Sequence, residues 1–257
     1  MSKINVNTWE PESSTAMTMG ASGDTTTVPS GASLVVASGA TINITGATQT
    51  GFPSAGFANW TPVTATDTTF DLQTGTTKVL LEVQSSGGSC GSNSSAGYEG
   101  GMGGGGSYAK KLLTGMTGAT DKLNITIGAV PSGNGAAGTT TSVAQAGTAS
   151  FTTVTCTGGA NGTDGTASVH GPGGAGGAAP TTGDLNRAGG DGMGGGNTSN
   201  RGTSSMLGTG GIRIAASVPA GGGGNATGYG AGGGRAFGSS QAGGTGSGAV
   251  VIVWEFK

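Results

Sequence analysis

One histidine, two cysteines and twelve Asp and Glu residues are the imidazole, thiol and carboxylate groups this 257-residue chain offers for acid–base, nucleophilic or metal chemistry. His170 lies in Val169-His-Gly-Pro-Gly-Gly with no Cys, Asp or Glu cluster beside it in sequence. A single imidazole builds neither a tetrahedral metal centre nor a catalytic triad, so His170 reads as a loop residue. Among the glycines, the carboxylates Glu99, Asp164, Asp184 and Asp191 are scattered, and nothing in their spacing holds two of them in one cleft as a glycosidase requires. Gly171-Pro-Gly-Gly-Ala-Gly176 matches G-x-G-x-x-G to the letter. At this glycine density the match is expected by chance, and neither a β-α-β strand before it nor a helix after it is indicated. No Gly-Lys dipeptide occurs, which removes the phosphate-loop motif. Cys90 and Cys156 are too few for a disulfide framework. They read as free thiols in small apolar niches, with a bridge between them as the alternative. The sequons at Asn43, Asn124 and Asn197 follow from a composition rich in Asn, Ser and Thr. The chemistry-capable residues thus point to no enzyme, no metal and no cofactor.

Charge removes further classes. Ten Lys and Arg against twelve Asp and Glu leave a net charge of −2, with no basic field to track a phosphate backbone, so no nucleic-acid partner is expected. No window approaches the ~20 apolar residues of a membrane-spanning helix. The start, Met1-Ser-Lys-Ile-Asn-Val, lacks an apolar signal-peptide core, so the chain is expected to be made in a cytosol and not exported by that route.

The elements that must position any functional side chain are dominated by 59 glycines, of which 8 precede Ser86 and 51 fall between Gly87 and Gly248. Glycine has the largest backbone entropy to lose, so such a chain either stays disordered or orders by a route that does not need side-chain packing everywhere. The low charge, 9% of residues, and the β-type runs flanking the glycine tracts favour order. Their backbone groups need partners. Polyproline II helices, with three residues per turn, can bond to one another side by side where no Cβ keeps them apart. Gly171, Gly174 and Gly177, and again Gly189, Gly192 and Gly195, have the required spacing, with Gly173 and Gly176 as a second row. The alternative is plain flexible loops. The absence of a long Gly-X-Y repeat excludes collagen.

No stretch of 11 or more residues shows a helical apolar period, so the chain is expected to be all-β. Strands are expected at 68–72, at 78–83 with Val79, Leu81 and Val83 on one face, and at 123–127 with Leu123, Ile125 and Ile127 inward. Others are expected at 149–156, at 212–218 and at 250–256; residues 108–113 suit a strand as well as a helix. The last run is apolar on both faces, which marks a central strand, and its best partner is 78–83. The domain therefore closes on itself, with the glycine segments inserted between strands. Residues 52–62, with Phe52, Pro53, Phe57, Trp60 and Pro62, read as a connector and mark the domain boundary.

Upstream, Ser-Gly-Ala occurs at Ser30 and Ser38, each copy leading into a short β run, with glycines 31, 39 and 46 at spacings of eight and seven. Two such rungs cannot shelter Leu34, Val36, Ile42 and Ile44 by themselves. Other copies of the chain must supply the cover, most naturally three around one axis; the alternative is a hairpin packed on its own domain. The organisation expected is an arm at 1–27, an intertwined trimeric β stem and connector at 28–62, and a β-sandwich-like domain with glycine-rich, polyproline II-like insertions at 63–257. In the arm, Trp9 and Pro11 are the candidate anchors on a neighbouring surface.

Larger side chains interrupt the glycine runs. Tyr98, Asp184, Asn186, Arg187, Asn200, Arg201, Tyr229, Arg235 and Phe237 are candidates for recognising a partner by stacking and hydrogen bonding; the alternative is that they solvate loop tips.

Thr69-Phe-Asp-Leu, Gly75-Thr-Thr-Lys-Val-Leu-Leu-Glu-Val-Gln84, Gly105-Gly-Ser-Tyr-Ala-Lys-Lys111, Leu123-Asn-Ile-Thr-Ile-Gly128 and Gly246-Ser-Gly-Ala-Val-Val-Ile-Val-Trp-Glu-Phe256 together resemble the glycine-rich domain of bacteriophage tail fibres. Pro29-Ser-Gly-Ala-Ser-Leu-Val-Val-Ala-Ser-Gly-Ala-Thr-Ile-Asn-Ile-Thr-Gly46 is similar to fibre segments of marine phages, and the whole, more loosely, to polyglycine-sandwich adhesins at fibre tips of T-even-like phages. The resemblance runs from about residue 24 onward; the chain departs from it at Gln84-Ser-Ser, where the family usually has an aromatic residue and then glycines. It implies a non-enzymatic homotrimer in the virion tail, assembled in the host cytoplasm. Its N-terminus would join other phage tail proteins, and its distal domain would bind a host surface polysaccharide or outer-membrane protein. A head fibre or tail decoration protein without receptor binding, and a depolymerase, are the rival readings.

Overall fold

The computed structural model describes residues 56–93, 98–148, 150–196, 201–212, 222–236 and 241–257, all within the unit Pro53–Lys257. The arm and stem expected at 1–50, with Trp9 and Pro11, lie outside the described residues, as do Asn200 and Phe237. Among the described residues there is no helix. Eleven strands form antiparallel sheets: β1 (Phe57–Val63), β2 (Asp67–Asp71), β3 (Lys78–Gln84), β4 (Tyr108–Thr114), β5 (Lys122–Thr126), β6 (Thr141–Ala146), β7 (Val154–Cys156), β8 (Leu185–Arg187), β9 (Leu207–Thr209), β10 (Thr227–Tyr229) and β11 (Val250–Phe256).

Alternating side chains explain the two main sheets. A five-stranded sheet, in the order β1-β11-β3-β4-β8, turns Val79, Leu81, Val83, Ala109, Leu113, Val251 and Val253 toward one core. A four-stranded sheet, β2-β5-β6-β7, contributes Leu123, Ile125, Val143, Val154 and Cys156 to that core. The terminal strand sits inside its sheet, as its two apolar faces require, and pairs with β3 from Val250 opposite Gln84 to Phe256 opposite Lys78. Its other neighbour is β1, within the segment read as a connector. Pro62 is accommodated there because β1 is an edge strand and the missing N–H faces no neighbour. The run 108–113 is a strand, β4. The strand expected at 149–156 is confined to Val154–Cys156. Most of the strand expected at 212–218 lies outside the described residues, and Ile212 makes an isolated bridge to Arg201.

One buried carboxylate fixes the turn between β2 and β3. Glu255, 1% exposed, accepts from the Gln73 N–H at 2.7 Å and the Thr76 hydroxyl at 2.8 Å. Gly75, at φ 88°, completes that turn in a conformation side chains disfavour.

Beyond the sheets, the glycine-rich segments between strands bond to one another. Along 101–107, successive N–H groups donate to Thr163, Met193, Gly233, Ala160, Gly190, Gly230 and Thr157. The targets rotate among three neighbouring segments and return every third residue. A strand has only two neighbours in its sheet; this segment has more, because its donors point in three directions in turn. The two glycine rows read from the sequence are bonded to each other: Gly189, Gly192 and Gly195 donate to Gly177, Gly174 and Gly171 at 2.7–2.8 Å. A methyl group at Gly101 would land on the Pro172 carbonyl, one at Gly173 on the Gly192 carbonyl, and one at Gly176 on the Gly189 carbonyl. Side-chain-free backbone is what lets these segments approach closely enough to bond.

Candidate functional site

β8 is three residues long and is held at the sheet edge by β4, with Tyr108 opposite Arg187 and Lys110 opposite Leu185. Beside it, β9 and β10 form a two-stranded ribbon with Leu207 opposite Tyr229. Between them lies a groove. One part, about 290 Å³, is lined by Gly106, Tyr108, Arg187, Gly190, Ser204 and Met206. A second, about 630 Å³, shares Ser204, Ser205 and Met206 and continues along the ribbon to Thr227 and Gly228. Arg187 Nη1 contacts the Met206 sulfur at 3.0 Å, and Met206 is 44% exposed. The Tyr108 hydroxyl donates to Glu82 at 2.6 Å; burial and that carboxylate push its pKa up. The Ser205 hydroxyl donates to the Tyr229 carbonyl and accepts from the Leu207 N–H, and Ser204 Oγ accepts from the Gly210 N–H, so the exposed Arg187 guanidinium is the groove's main donor toward a polyhydroxylated ligand. The arrangement offers no nucleophile paired with a base.

Of the candidate residues that are described, Arg187 lines this groove, and Tyr98, Asp184, Asn186, Arg201, Tyr229 and Arg235 are placed elsewhere. Asp184 is turned to β4: one oxygen accepts from the Leu112 N–H at 2.7 Å and the other lies 3.6 Å from Lys111 Nζ. Asn186 closes its own turn through two bonds to Gly183. Tyr229 borders a separate depression of about 280 Å³ with Thr66, Ile127, Val130 and Ala249. Arg201 is exposed beside Ile212.

Arg235 is corrected outright. It is 1% exposed, and its Nη1 lies 2.6 Å from Glu99 Oε2 in the interior of the glycine layer. Glu99 Oε2 also accepts from the Gly196 N–H at 3.2 Å. The neighbouring residue in sequence, Tyr98, meets His170 with ring centroids 5.3 Å apart and planes tilted by 52°, and His170 Nδ1 accepts from the Glu99 N–H at 3.0 Å. Tyr98, Glu99, His170 and Arg235 therefore clamp several glycine segments together. A Gly-flanked Arg reads as a surface tip in sequence because its counter-ion, Glu99, is remote in the chain. The groove residues Ser204, Ser205 and Met206 carried no sequence signal; only the β8 and β9–β10 neighbourhood brings them beside Arg187.

Cys90 and Cys156 are free and buried, and burial pushes both thiols up to about 12. Among the described residues no group of three His, Cys, Asp or Glu is placed to hold a metal ion, and no helix is long and apolar enough to cross a membrane. No family model matches this sequence, and no curated protein matches it.

Proposed function

We propose that this chain is the subunit of a homotrimeric bacteriophage tail fibre whose glycine-rich domain recognises the host cell surface. The observation that carries the reading is the three-residue rotation of hydrogen bonds through segment 101–107. Three residues per turn is polyproline II geometry, and glycine at the contact lines is what a bundle of such helices needs. We read the tracts as polyproline II helices packed side by side between the strands. Such a bundle has little side-chain volume inside it and few titratable groups. It serves as a stiff support that holds short variable segments at its surface, as an adhesin requires.

In this reading residues 1–27 join the fibre to other tail proteins in the virion and residues 28–50 form the trimeric stem. The groove between β8 and the β9–β10 ribbon takes a host surface polysaccharide or an outer-membrane protein loop. Its role is binding, without catalysis. Three copies multiply a weak site by avidity. Labelled full-length chain is expected to decorate susceptible host cells and to leave resistant ones bare. Replacing Arg187 by Ala should lower the affinity roughly tenfold, the ordinary weight of one central arginine contact. Failure on both cell types would favour a head fibre or decoration protein.

A further inference from the structure

An antiparallel sheet with one solvated face normally carries polar residues there. The five-stranded sheet carries Glu82 and Lys110 there, and beside them an unbroken apolar row. On the face turned away from the core, Trp60 lies opposite Trp254, Trp254 opposite Leu80, and Leu80 opposite Leu112, so one apolar row crosses four strands. Trp60 and Trp254 stack with centroids 5.8 Å apart, and Phe57 meets Trp254 at 6.0 Å and Phe256 at 6.2 Å. Phe57, Trp60 and Leu112 are 57%, 51% and 47% exposed. The two rings each leave roughly 100 Å² in water, given the 150–250 Å² an aromatic side chain presents. The indole Nε1 of Trp254 is buried with no acceptor among the described residues.

We infer that this face is an interface between copies of the chain. The inference rests on the reading of residues 28–50 as a segment shared between copies, and it adds a second contact surface to that assembly. Two observations select a second copy as the occupant. First, the chain enters the sheet at this patch: β1 begins at Phe57, and Gly56 exchanges both backbone hydrogen bonds with Lys257. From residue 50 to Phe57 the chain reaches at most about 25 Å, so copies joined at 28–50 hold their aromatic faces close together. Tethering raises the effective concentration to the order of millimolar, so a patch smaller than the ~800 Å² per partner of a free-standing interface suffices. Second, the charges beside the patch are compatible with self-contact. Glu82 and Lys110 pair with each other at 3.2 Å, so identical faces can meet with little like-charge repulsion. A lipid surface would call for several unpaired cations beside the aromatic patch, and the face offers Lys78 there and Arg187 only at the far edge, in contact with Met206.

The test uses the full-length chain. Sedimentation of the wild type should give a multiple of 24.1 kDa. Trp60→Glu should raise the concentration at which the assembly dissociates at least tenfold. In a conservative second variant, Leu112→Cys, maleimide labelling in the native assembly should be at least tenfold slower than for Val169→Cys, whose parent residue is 60% exposed far along the chain. The native thiols, both buried, supply no background. If the wild type is an oligomer but Leu112→Cys labels as fast as Val169→Cys, the face is not an interface and the shared stem survives. If the wild type is a 24.1 kDa monomer with Leu112→Cys freely labelled, both readings fall. A monomer with Leu112→Cys protected would mean that the chain covers its own face, which overturns the inference.

Discussion

Three glycine-to-alanine substitutions separate the reasons a glycine can be required. At Gly101 a methyl group would overlap the carbonyl carbon and oxygen of Pro172, backbone atoms that move only with their segment. That neighbourhood is held by the bonds Gly101 N–H to Thr163 O at 2.9 Å, Gly91 N–H to Gly101 O at 2.9 Å and Thr163 N–H to Pro172 O at 3.0 Å. Forcing the segments apart sacrifices about three such bonds. At roughly 1 kcal/mol each, with buried groups left partly unsatisfied, Gly101→Ala should cost about 3–5 kcal/mol. For a folded unit of this size that is a fall of about 10–15 °C in Tm. At Gly194 the nearest atom to an added methyl is 3.6 Å away and the backbone is not left-handed. Gly194→Ala should be neutral or raise stability by about 0.4–1 kcal/mol through the unfolded state. At Gly133 nothing lies within 4 Å but φ is +86°, so alanine there should cost about 1–2 kcal/mol from backbone strain alone. Calorimetry on the full-length chain orders the three. A Gly101→Ala variant melting within about 2 °C of wild type would refute close backbone packing as the source of stability.

Other outcomes follow from the buried polar groups. Glu255→Ala removes the acceptor of both Gln73 N–H and the Thr76 hydroxyl, and should cost about 2–4 kcal/mol in urea unfolding. Arg235→Met should cost about 3–5 kcal/mol because it removes the guanidinium that faces Glu99 in the interior; adding Glu99→Gln should restore part of the loss, which a double-mutant cycle reads directly. The two thiols make stability fall with alkali. Their folded-state pKa values near 12 lie above the ~8.5 of an unfolded cysteine. The unfolded chain therefore sheds these protons first. Each thiol's contribution is intact below pH ~8.5 and declines above it by up to about 1.4 kcal/mol per pH unit until the folded thiol ionises. Urea midpoints compared between pH 8 and 10.5 should show this decline, and Cys90→Ala and Cys156→Ala should each reduce its slope.

How much of this was legible in the sequence depended on which force built each element. Burial of alternating apolar residues is written locally, so β3 and β11, and their pairing, could be read from Val79, Leu81 and Val83 against the apolar terminal run. β6 could not: Thr141, Ser142, Ala144 and Gln145 are small or polar, and only their place beside β5 makes Val143 a core residue. β1 was hidden by Pro62 and its aromatic residues, which look like a linker until the edge of the sheet is seen. The period of three was visible at Gly171–Gly177 and Gly189–Gly195, but which tract bonds to which was not. Glycines carry no side chain by which one tract could be matched to another in sequence.

That same lack of side chains governs where recognition can reside. Within the glycine layer the positions of added methyl groups are largely taken by neighbouring carbonyls, so variation there is penalised by overlap. Along β8, and at Leu207, Thr209 and Thr227 of the β9–β10 ribbon, side chains are exposed or half-buried and can change without moving a backbone segment. The binding surface proposed for this chain is thus confined to the margins of the layer, on elements only three residues long. Exchanging Leu185 and Arg187, or Leu207 and Thr209 with Gly208 kept, should alter selectivity in the binding proposed above while the melting temperature stays within a few degrees, because surface changes of this kind amount to about 0.5 kcal/mol. A comparable loss of stability on exchanging either element would mean that they brace the layer, and the adhesive surface would have to be sought elsewhere.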